Sequence, residues 1–180
     1  MILLFVAPML VAAALVFGGW QPKATGNHGE LVEPAEPVTE LGVAGAEQWE
    51  PEAWRGRWQY LVTLPAGDCD ADCREFIDVI SRVREALHRD AERLRIRLVI
   101  NGEVPSGLAD EYSGVEWIRG SSEILAPLYD RGGEFAVHVV DPEGYRMLVH
   151  RDPVEPSDLL SDTRRLLRAS DERQERALRP

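Results

Sequence analysis

The two cysteines of the chain, Cys69 and Cys73, are the residues best suited to chemistry, and they lie four positions apart. They follow a strand-like run and stand at the start of a strongly helical one. A helix N-terminus favours the thiolate, which is the nucleophilic and metal-binding form of cysteine. A spacing of four also brings both sulfurs to one face of a helix, about one turn apart. The pair could therefore close a disulfide or bind one soft metal ion.

The residues around the pair narrow the kind of thiol chemistry. Asp68, Asp70 and Asp72 place negative charge beside the thiols, which disfavours the thiolate and argues against a strongly oxidising pair. The spacing also differs from the Cys-x-x-Cys motif of general thiol–disulfide oxidoreductases. A disulfide that closes so small a loop would stabilise the fold by about 2 kcal/mol or less. We therefore favour a redox-active pair over a purely structural bridge.

A copper site would need a donor beyond the two sulfurs, and imidazole is the natural companion of thiolate in such sites. Of the four histidines, His138 is the first candidate for this third donor, because it lies in a predicted strand beside a turn. Its ring must face the cysteine helix to serve as a ligand, since a strand residue has only two faces. The competing interpretation is a strand histidine hydrogen-bonded within the fold. His150 lies further along the hairpin, His88 lies near a helix C-terminus where a cation is favourable, and His28 lies in the lead-in.

The elements that position the cysteines follow from the hydrophobic pattern. Residues 59–64 form an aromatic and β-branched run that ends at Pro65 and predicts a buried strand. The next helix has one apolar face, and Asp72 with Glu75 predicts a capping box at its start. The residues of that face recur at three- and four-residue spacing: Cys73, Phe76, Ile77, Ile80, Val83 and Leu87.

The remaining pattern completes one α/β domain over residues 51–169, with a charged, solvent-exposed tail over 170–180. Serine at 121 predicts an N-cap, and the segment around 141–144 predicts the turn of a hairpin. The predicted elements, in order, are strands at 94–100 and 115–118, a helix over 121–129, strands at 135–140 and 145–150, and a helix over 156–167.

The N-terminus predicts attachment to a membrane. Residues 1–20 carry no charged side chain and as a helix would reach about 30 Å, the hydrocarbon thickness of a bilayer. We favour a transmembrane anchor over a cleaved signal peptide because the apolar run is long and lacks a clean Ala-x-Ala end. Residues 21–50, rich in proline and glycine, predict an extended linker. The body of this single-pass protein would lie on the periplasmic side of the inner (cytoplasmic) membrane, where disulfides form.

The composition limits the classes of partner. A net charge of −11 argues against nucleic acid, because phosphate binding needs a basic surface. A hydrophobic content of 44% indicates a folded body rather than a disordered one. The sequence also lacks a Gly-rich phosphate loop, so nucleotide chemistry is not expected.

The order of elements, with the cysteine pair at a helix start and a terminal hairpin and helix, resembles the thioredoxin-like three-layer sandwich. Residues 41–167 more specifically resemble the Sco/SenC family of copper-handling cytochrome c oxidase assembly proteins. The likeness is closer still to a bacterial branch of small membrane-anchored proteins associated with cytochrome oxidase. The segments that carry the likeness are Gly56-Arg57-Trp58, Cys69-x3-Cys73, the turn Asp141-Pro142-Glu143-Gly144 with Tyr145, and residues 20–23, 27–31, 69–74 and 83–87.

The resemblance implies that Cys69 and Cys73 form a redox pair or bind copper as a cofactor. It also implies a partner, either a cytochrome c oxidase subunit or one of its assembly factors. In Sco-type proteins a histidine about eight residues before the Asp of that turn completes the copper site. In this sequence Gly133 holds that place, and His138 is the nearest histidine.

Three functions are compatible with these observations. The first is a membrane-anchored, exported accessory factor for cytochrome c oxidase assembly, which uses the cysteine pair for redox or copper handling and is not a turnover enzyme. The second is a non-catalytic thioredoxin-like interaction module with a structural disulfide. The third is a metal-free, membrane-tethered thiol–disulfide reductase.

Overall fold

A computed structural model describes residues 26–46, 51–65 and 69–177 of the chain. The strands are β1 (Glu30–Pro37), β2 (Trp58–Thr63), β3 (Leu94–Asn101), β4 (Glu116–Gly120), β5 (Ala136–Val140) and β6 (Tyr145–Arg151). The α-helices are α1 (Ala71–Glu85), α2 (Leu108–Glu111), α3 (Ser122–Gly132) and α4 (Pro156–Ala177). Short 3-10 helices span Val38–Leu41, Val43–Gly45, Pro51–Trp54 and His88–Arg93.

The described strands form a single six-stranded mixed sheet in the order β1-β6-β5-β2-β3-β4. Strands β2, β3 and β4 run parallel to one another, whereas β5 is antiparallel to β2, β6 to β5 and β1 to β6. Consecutive parallel strands require a crossover, and α1 supplies it between β2 and β3. This crossover places the start of α1 directly after the C-terminal end of β2.

Apolar side chains of β2 separate the core into two halves, because successive strand residues point to opposite faces. Tyr60 and Val62 pack on the face covered by α1 and α4. Leu61 packs on the opposite face, with Leu125 and Leu128 of α3. Helices therefore cover both faces of the sheet, as the predicted α/β sandwich requires.

The segment predicted to be a linker differs in the structure. Glu30–Pro37 pairs with β6 as the edge strand β1, and Val38, Leu41 and Val43 are buried against the α3 face. Proline is tolerated in an edge strand because one side of that strand has no ladder hydrogen bonds to lose. The prolines that indicate a linker in the sequence are therefore equally compatible with β1.

Helix α4 contacts both the start of the described chain and the 3-10 helix that precedes β3. The side chain of Asp162, which is fully buried, accepts hydrogen bonds from the backbone N–H groups of His28 and Gly29, each at 2.9 Å. Towards its C-terminus, α4 continues through residues predicted to be a charged tail. There Asp171 of α4 forms an ion pair with Arg93 at 2.7 Å. The predicted tail is thus helical as far as Ala177.

Within the described ranges, no helix combines the length and the apolar content needed to cross a membrane. The predicted anchor over residues 1–20 lies outside those ranges.

Candidate functional site

Cys69 and Cys73 are joined by a disulfide at the N-terminus of α1, with their Cα atoms 5.2 Å apart. Cys69 lies just before the helix and Cys73 lies in its first turn. The side chains are shielded unequally, since Cys69 is 8% exposed and Cys73 is 1% exposed. The structure therefore brings together the two residues that the sequence singled out, and presents them in the oxidised form.

The helix is capped by a residue inside the cysteine loop. The backbone N–H of Cys73 donates to Asp70 Oδ1 at 3.0 Å, so Asp70 is the N-cap. The N-cap therefore lies two residues before the predicted Asp72, which is in the first helical turn, and the predicted capping box with Glu75 does not form because position N3 is Cys73. Aspartate is a strong N-cap residue wherever it precedes a helix by one position, so the sequence does carry this signal. The cap fixes the backbone of one cysteine relative to the loop that carries the other.

The strand end before the cysteine loop is held from the opposite face of the sheet. Tyr129 of α3 donates its hydroxyl hydrogen to the carbonyl of Leu64, at 2.6 Å. Burial raises the pKa of Tyr129 to about 12, so the hydroxyl stays protonated and keeps this bond. The position of the loop thus depends on packing across the sheet as well as on α1.

His138 lies on the wrong face of the sheet to complete a metal site with the cysteines. It pairs in register with Leu61, which packs towards α3, whereas Cys73 packs towards the opposite face. Its Nδ1 lies 3.3 Å from Nη1 of Arg146, and its ring contacts Gly132 of α3 so closely that a Cβ there would clash. Burial, reinforced by Arg146, lowers the pKa of His138 to about 3, so the ring is neutral. The structure does not bring this predicted ligand to the sulfurs.

The other histidines are engaged elsewhere or exposed. His150 pairs in register with Val137 and lies 3.3 Å from Asp162 of α4, and burial lowers the pKa of its ring. His28 lies 3.4 Å from Asp158, and His88 is exposed with a φ of 53°. Among the described residues, no group of three or more His, Cys, Asp or Glu side chains is arranged to hold a metal ion.

Gly133 occupies the place at which the resemblance expects a histidine ligand. It follows α3 at the same end of the sheet as the cysteine loop, because the start of β5 pairs with the end of β2. A Cβ at this position would meet nothing within 4 Å, so the space is open, but φ is +93°. The described part of the chain therefore offers two sulfurs and an empty ligand position, which does not fit a three-donor copper site.

Comparisons with known proteins identify the scaffold. The family model described as "Transmembrane-like, thioredoxin-like, C-terminal domain" matches residues 58–170. A search of curated proteins finds no match.

Solved structures with similar folds include Sco1 proteins and a peroxiredoxin. Apo Sco1 from Thermus thermophilus has a TM-score of 0.59 at 16% identity and covers 81% of this chain and 99% of its own. Yeast Sco1 with copper bound has a TM-score of 0.53 at 10% identity, with coverages of 74% and 89%. A yeast mitochondrial 1-Cys peroxiredoxin has a TM-score of 0.50 at 17% identity, with coverages of 68% and 69%. At these identities the likeness establishes the thioredoxin-like α/β fold, and that prediction is confirmed.

Proposed function

Because the chain belongs to the family of transmembrane-like, thioredoxin-like C-terminal domains, we propose that it is a membrane-anchored, exported accessory factor for cytochrome c oxidase assembly. It acts through thiol–disulfide exchange at Cys69 and Cys73. The anchor is the uncharged segment over residues 1–20, and the body lies on the periplasmic side of the inner membrane.

The observation that carries this proposal is the position of the disulfide. It joins Cys69, two residues before α1 begins, to the first turn of the same helix, so it closes a very short loop. The stabilisation that a cross-link gives a fold grows with the logarithm of the number of residues in the loop that it closes. For this loop the gain in the free energy of unfolding is about 2 kcal/mol or less. Asp70 already caps the same turn. A bridge that adds little stability at a pre-formed helix end is better suited to opening and closing.

The exchange reaction can be written from the exposure of the two sulfurs. In the reduced chain Cys69, the more exposed cysteine, attacks one sulfur of a partner's disulfide, and the other partner sulfur leaves as a thiolate. Cys73 then attacks the Cys69 sulfur, which releases the partner as a dithiol and forms the disulfide seen here. Two electrons pass to the partner, and a dithiol donor protein of the exported compartment reduces the chain again.

This proposal assigns copper to the partner's site rather than to this chain. Yeast Sco1 binds copper in its solved structure, but the described residues of this chain supply two sulfurs without a third donor. Reduced cysteines on an oxidase subunit are the form that takes up Cu(I). Reduction of those cysteines is therefore the assistance that the chain gives.

The reduction potential of the Cys69–Cys73 couple tests the redox step. We expect a value above about −300 mV, in the range of redox-active pairs, when the full chain is equilibrated with dithiol buffers and its thiols are counted by alkylation. The Cys69→Ser and Cys73→Ser chains, which have one thiol each and cannot close the disulfide, provide the reference for a single alkylated thiol, and wild type in excess dithiol provides the reference for two. A potential well below about −300 mV contradicts the proposal.

A copper titration tests whether the chain carries the metal itself. The reduced wild-type chain is titrated with Cu(I) against a chelator, beside His138→Ala and Gly133→His. We expect weak binding that is unchanged in His138→Ala, because that ring lies on the other face of the sheet. Gly133→His should bind more tightly, because it adds an imidazole in open space at the end of the sheet that carries the cysteine loop. Equal and tight binding by wild type and Gly133→His would favour copper delivery instead.

A second candidate function is favoured by the burial of Cys73, which is 1% exposed. Such burial suits an interaction module whose disulfide is purely structural. Complementation of a strain that lacks the protein distinguishes the two functions. If the protein is a redox factor, the Cys69→Ser/Cys73→Ser chain fails to restore oxidase activity. As an interaction module, the same chain restores it fully.

A further inference from the structure

A groove along the first turns of α1, which starts at Asp72, next to Cys73 in the sequence, has no role in the chemistry above. It has a volume of about 340 Å³, within the range of sites that hold small ligands or side chains, and lies between α1 and the loop that follows β6. Its opposite wall is formed by Phe135 and residues 152–154. The α1 residues that line it recur at the spacing of one helix face, so they form a stripe running away from the disulfide. Those residues are Asp72, Glu75, Phe76 and Val79.

The floor of this groove is apolar. The rings of Phe76 and Phe135 meet edge to face, with centroids 5.1 Å apart. Val79 and Val154 also line the groove and are partly buried, and Pro153 lines it as an exposed residue. The aromatic and aliphatic side chains of the floor have no hydrogen-bond donors or acceptors. A further apolar side chain can therefore be buried against them without leaving a polar group unsatisfied.

The rim of the groove is acidic and uncompensated. Asp72, Glu75 and Asp152 are exposed, and within the described part of the chain none of their carboxylates forms an ion pair. The lining residues include no lysine or arginine. Three unpaired carboxylates around one apolar floor favour a cationic ligand.

We propose that this groove binds a segment of a partner protein in which an apolar side chain is flanked by lysine or arginine. The apolar side chain packs on Phe76 and Phe135, and the cationic groups pair with Asp72, Glu75 and Asp152. Because the stripe starts at the residue before Cys73, the docked segment lies beside the disulfide. The inference rests on the proposed function, since it names the kind of partner whose cysteines would be reduced.

Peptide binding to the full chain tests this docking surface. The chain is placed in nanodiscs of phosphatidylcholine, and fluorescence anisotropy follows two labelled peptides, GSRLFKSG and its acidic counterpart GSELFESG. We expect the basic peptide to bind at least about tenfold more tightly than the acidic one, and to lose affinity as salt screens the carboxylates. Empty nanodiscs give the baseline for binding to lipid.

Matched variants separate the groove from the general negative charge of the chain. Glu75→Lys should weaken binding of the basic peptide about tenfold. Glu85→Lys makes the same charge change at an exposed position on the same helix, outside the groove, and should leave binding close to that of wild type. Val79→Thr, nearly equal in volume, should weaken binding through the floor. Equal effects of Glu75→Lys and Glu85→Lys would overturn the proposal, as would equal binding of both peptides or binding no stronger than to empty nanodiscs.

The same assay distinguishes failure of the docking surface from failure of the redox function. Neither peptide contains cysteine, so the Cys69→Ser/Cys73→Ser chain should bind them as wild type does. Selective binding with a reduction potential well below about −300 mV would retain the groove and reject the redox step. A redox-active chain without peptide selectivity would retain the redox step and reject the groove.

Discussion

The burial of His138 and the residues around its ring determine its charge state and its packing. The ring is fully buried on the α3 side of the sheet, Arg146 lies beside its Nδ1, and Gly132 packs against its Nε2 edge. Its neutral form is set by desolvation, because a charged imidazole would lose its water without gaining a carboxylate. At the scale of single residues, then, His138 is a core residue whose fit depends on the absence of a side chain at Gly132.

Gly132→Ala should destabilise the fold by about 1–3 kcal/mol, because its new methyl group clashes with the His138 ring and the core must shift. Urea denaturation of the purified chain measures this loss. Combining it with His138→Ala should recover part of the loss, since removal of the ring frees the space. The two changes would then show a coupling energy in a double-mutant cycle.

Gly114→Ala is the control for this prediction. Gly114 is exposed, and a Cβ there meets nothing within 4 Å, so its stability should change by less than about 0.5 kcal/mol. Additive effects of Gly132→Ala and His138→Ala would show that the predicted clash is absent.

At the scale of elements, the N-terminal segment before β2 belongs to the folded body. Glu36 of β1 pairs with the buried Arg146 of β6 at 2.6 Å, and Leu41 is fully buried below α3. An edge strand together with a packed 3-10 turn closes both the last open hydrogen-bonding edge of β6 and one side of the core. Removing this segment would therefore expose apolar surface and a strand edge at the same time.

Leu41→Ala should lower the free energy of unfolding by about 2–5 kcal/mol, as expected for a leucine in a packed core. Thermal and urea unfolding of the full chain provide the measurement. Glu40→Ala, at the exposed neighbouring position, should change it by less than about 0.5 kcal/mol. If both variants unfold like wild type, residues 38–46 act as a linker after all.

The hydrophobic pattern predicts best the elements that have a single apolar face. Helix α1 is predicted because five residues of its core-facing stripe recur at helical spacing, and Ser121 does cap α3. The pattern fails for β1, because its prolines are typical of linkers and of edge strands alike. The pattern also does not decide which face of the sheet His138 lies on. Every residue of β5 is buried, and a strand buried on both faces shows no alternation of apolar and polar residues. The groove could not be predicted, since its two walls are far apart in sequence.

At the scale of the whole molecule, acid should destabilise the fold. The pKa of His138 is lowered to about 3, whereas in the unfolded chain it has the ordinary value of about 6.5. Between these values the unfolded chain binds more protons, so the free energy of unfolding falls as the pH drops below about 6.5. The loss due to His138 is about 2 kcal/mol by pH 5. His150, whose pKa is also lowered by burial, acts in the same direction.

Urea midpoints at about pH 7.5 and about pH 5 measure this dependence. His138→Gln should show a smaller difference between the two midpoints, whatever its stability at the higher pH. His88→Asn serves as the control, because His88 is exposed and asparagine tolerates its positive φ. An identical pH dependence in wild type and His138→Gln would refute the assignment to His138.

In the membrane-anchored protein proposed above, the hydrogen bonds from His28 and Gly29 to Asp162 limit how far the body can lie from the lipid. With the proposed anchor ending at residue 20, eight residues lead to the first fastened amide, a span of at most about 30 Å. Register places that entry point at the disulfide end of the sheet, because Glu30 is opposite Val149, Arg151 is opposite Ala136, and Ala136 is opposite Thr63. With that anchor, the disulfide end of the sheet is the tethered end, and the proposed redox step would take place close to the lipid surface. Partner disulfides farther from the lipid would then lie out of its reach.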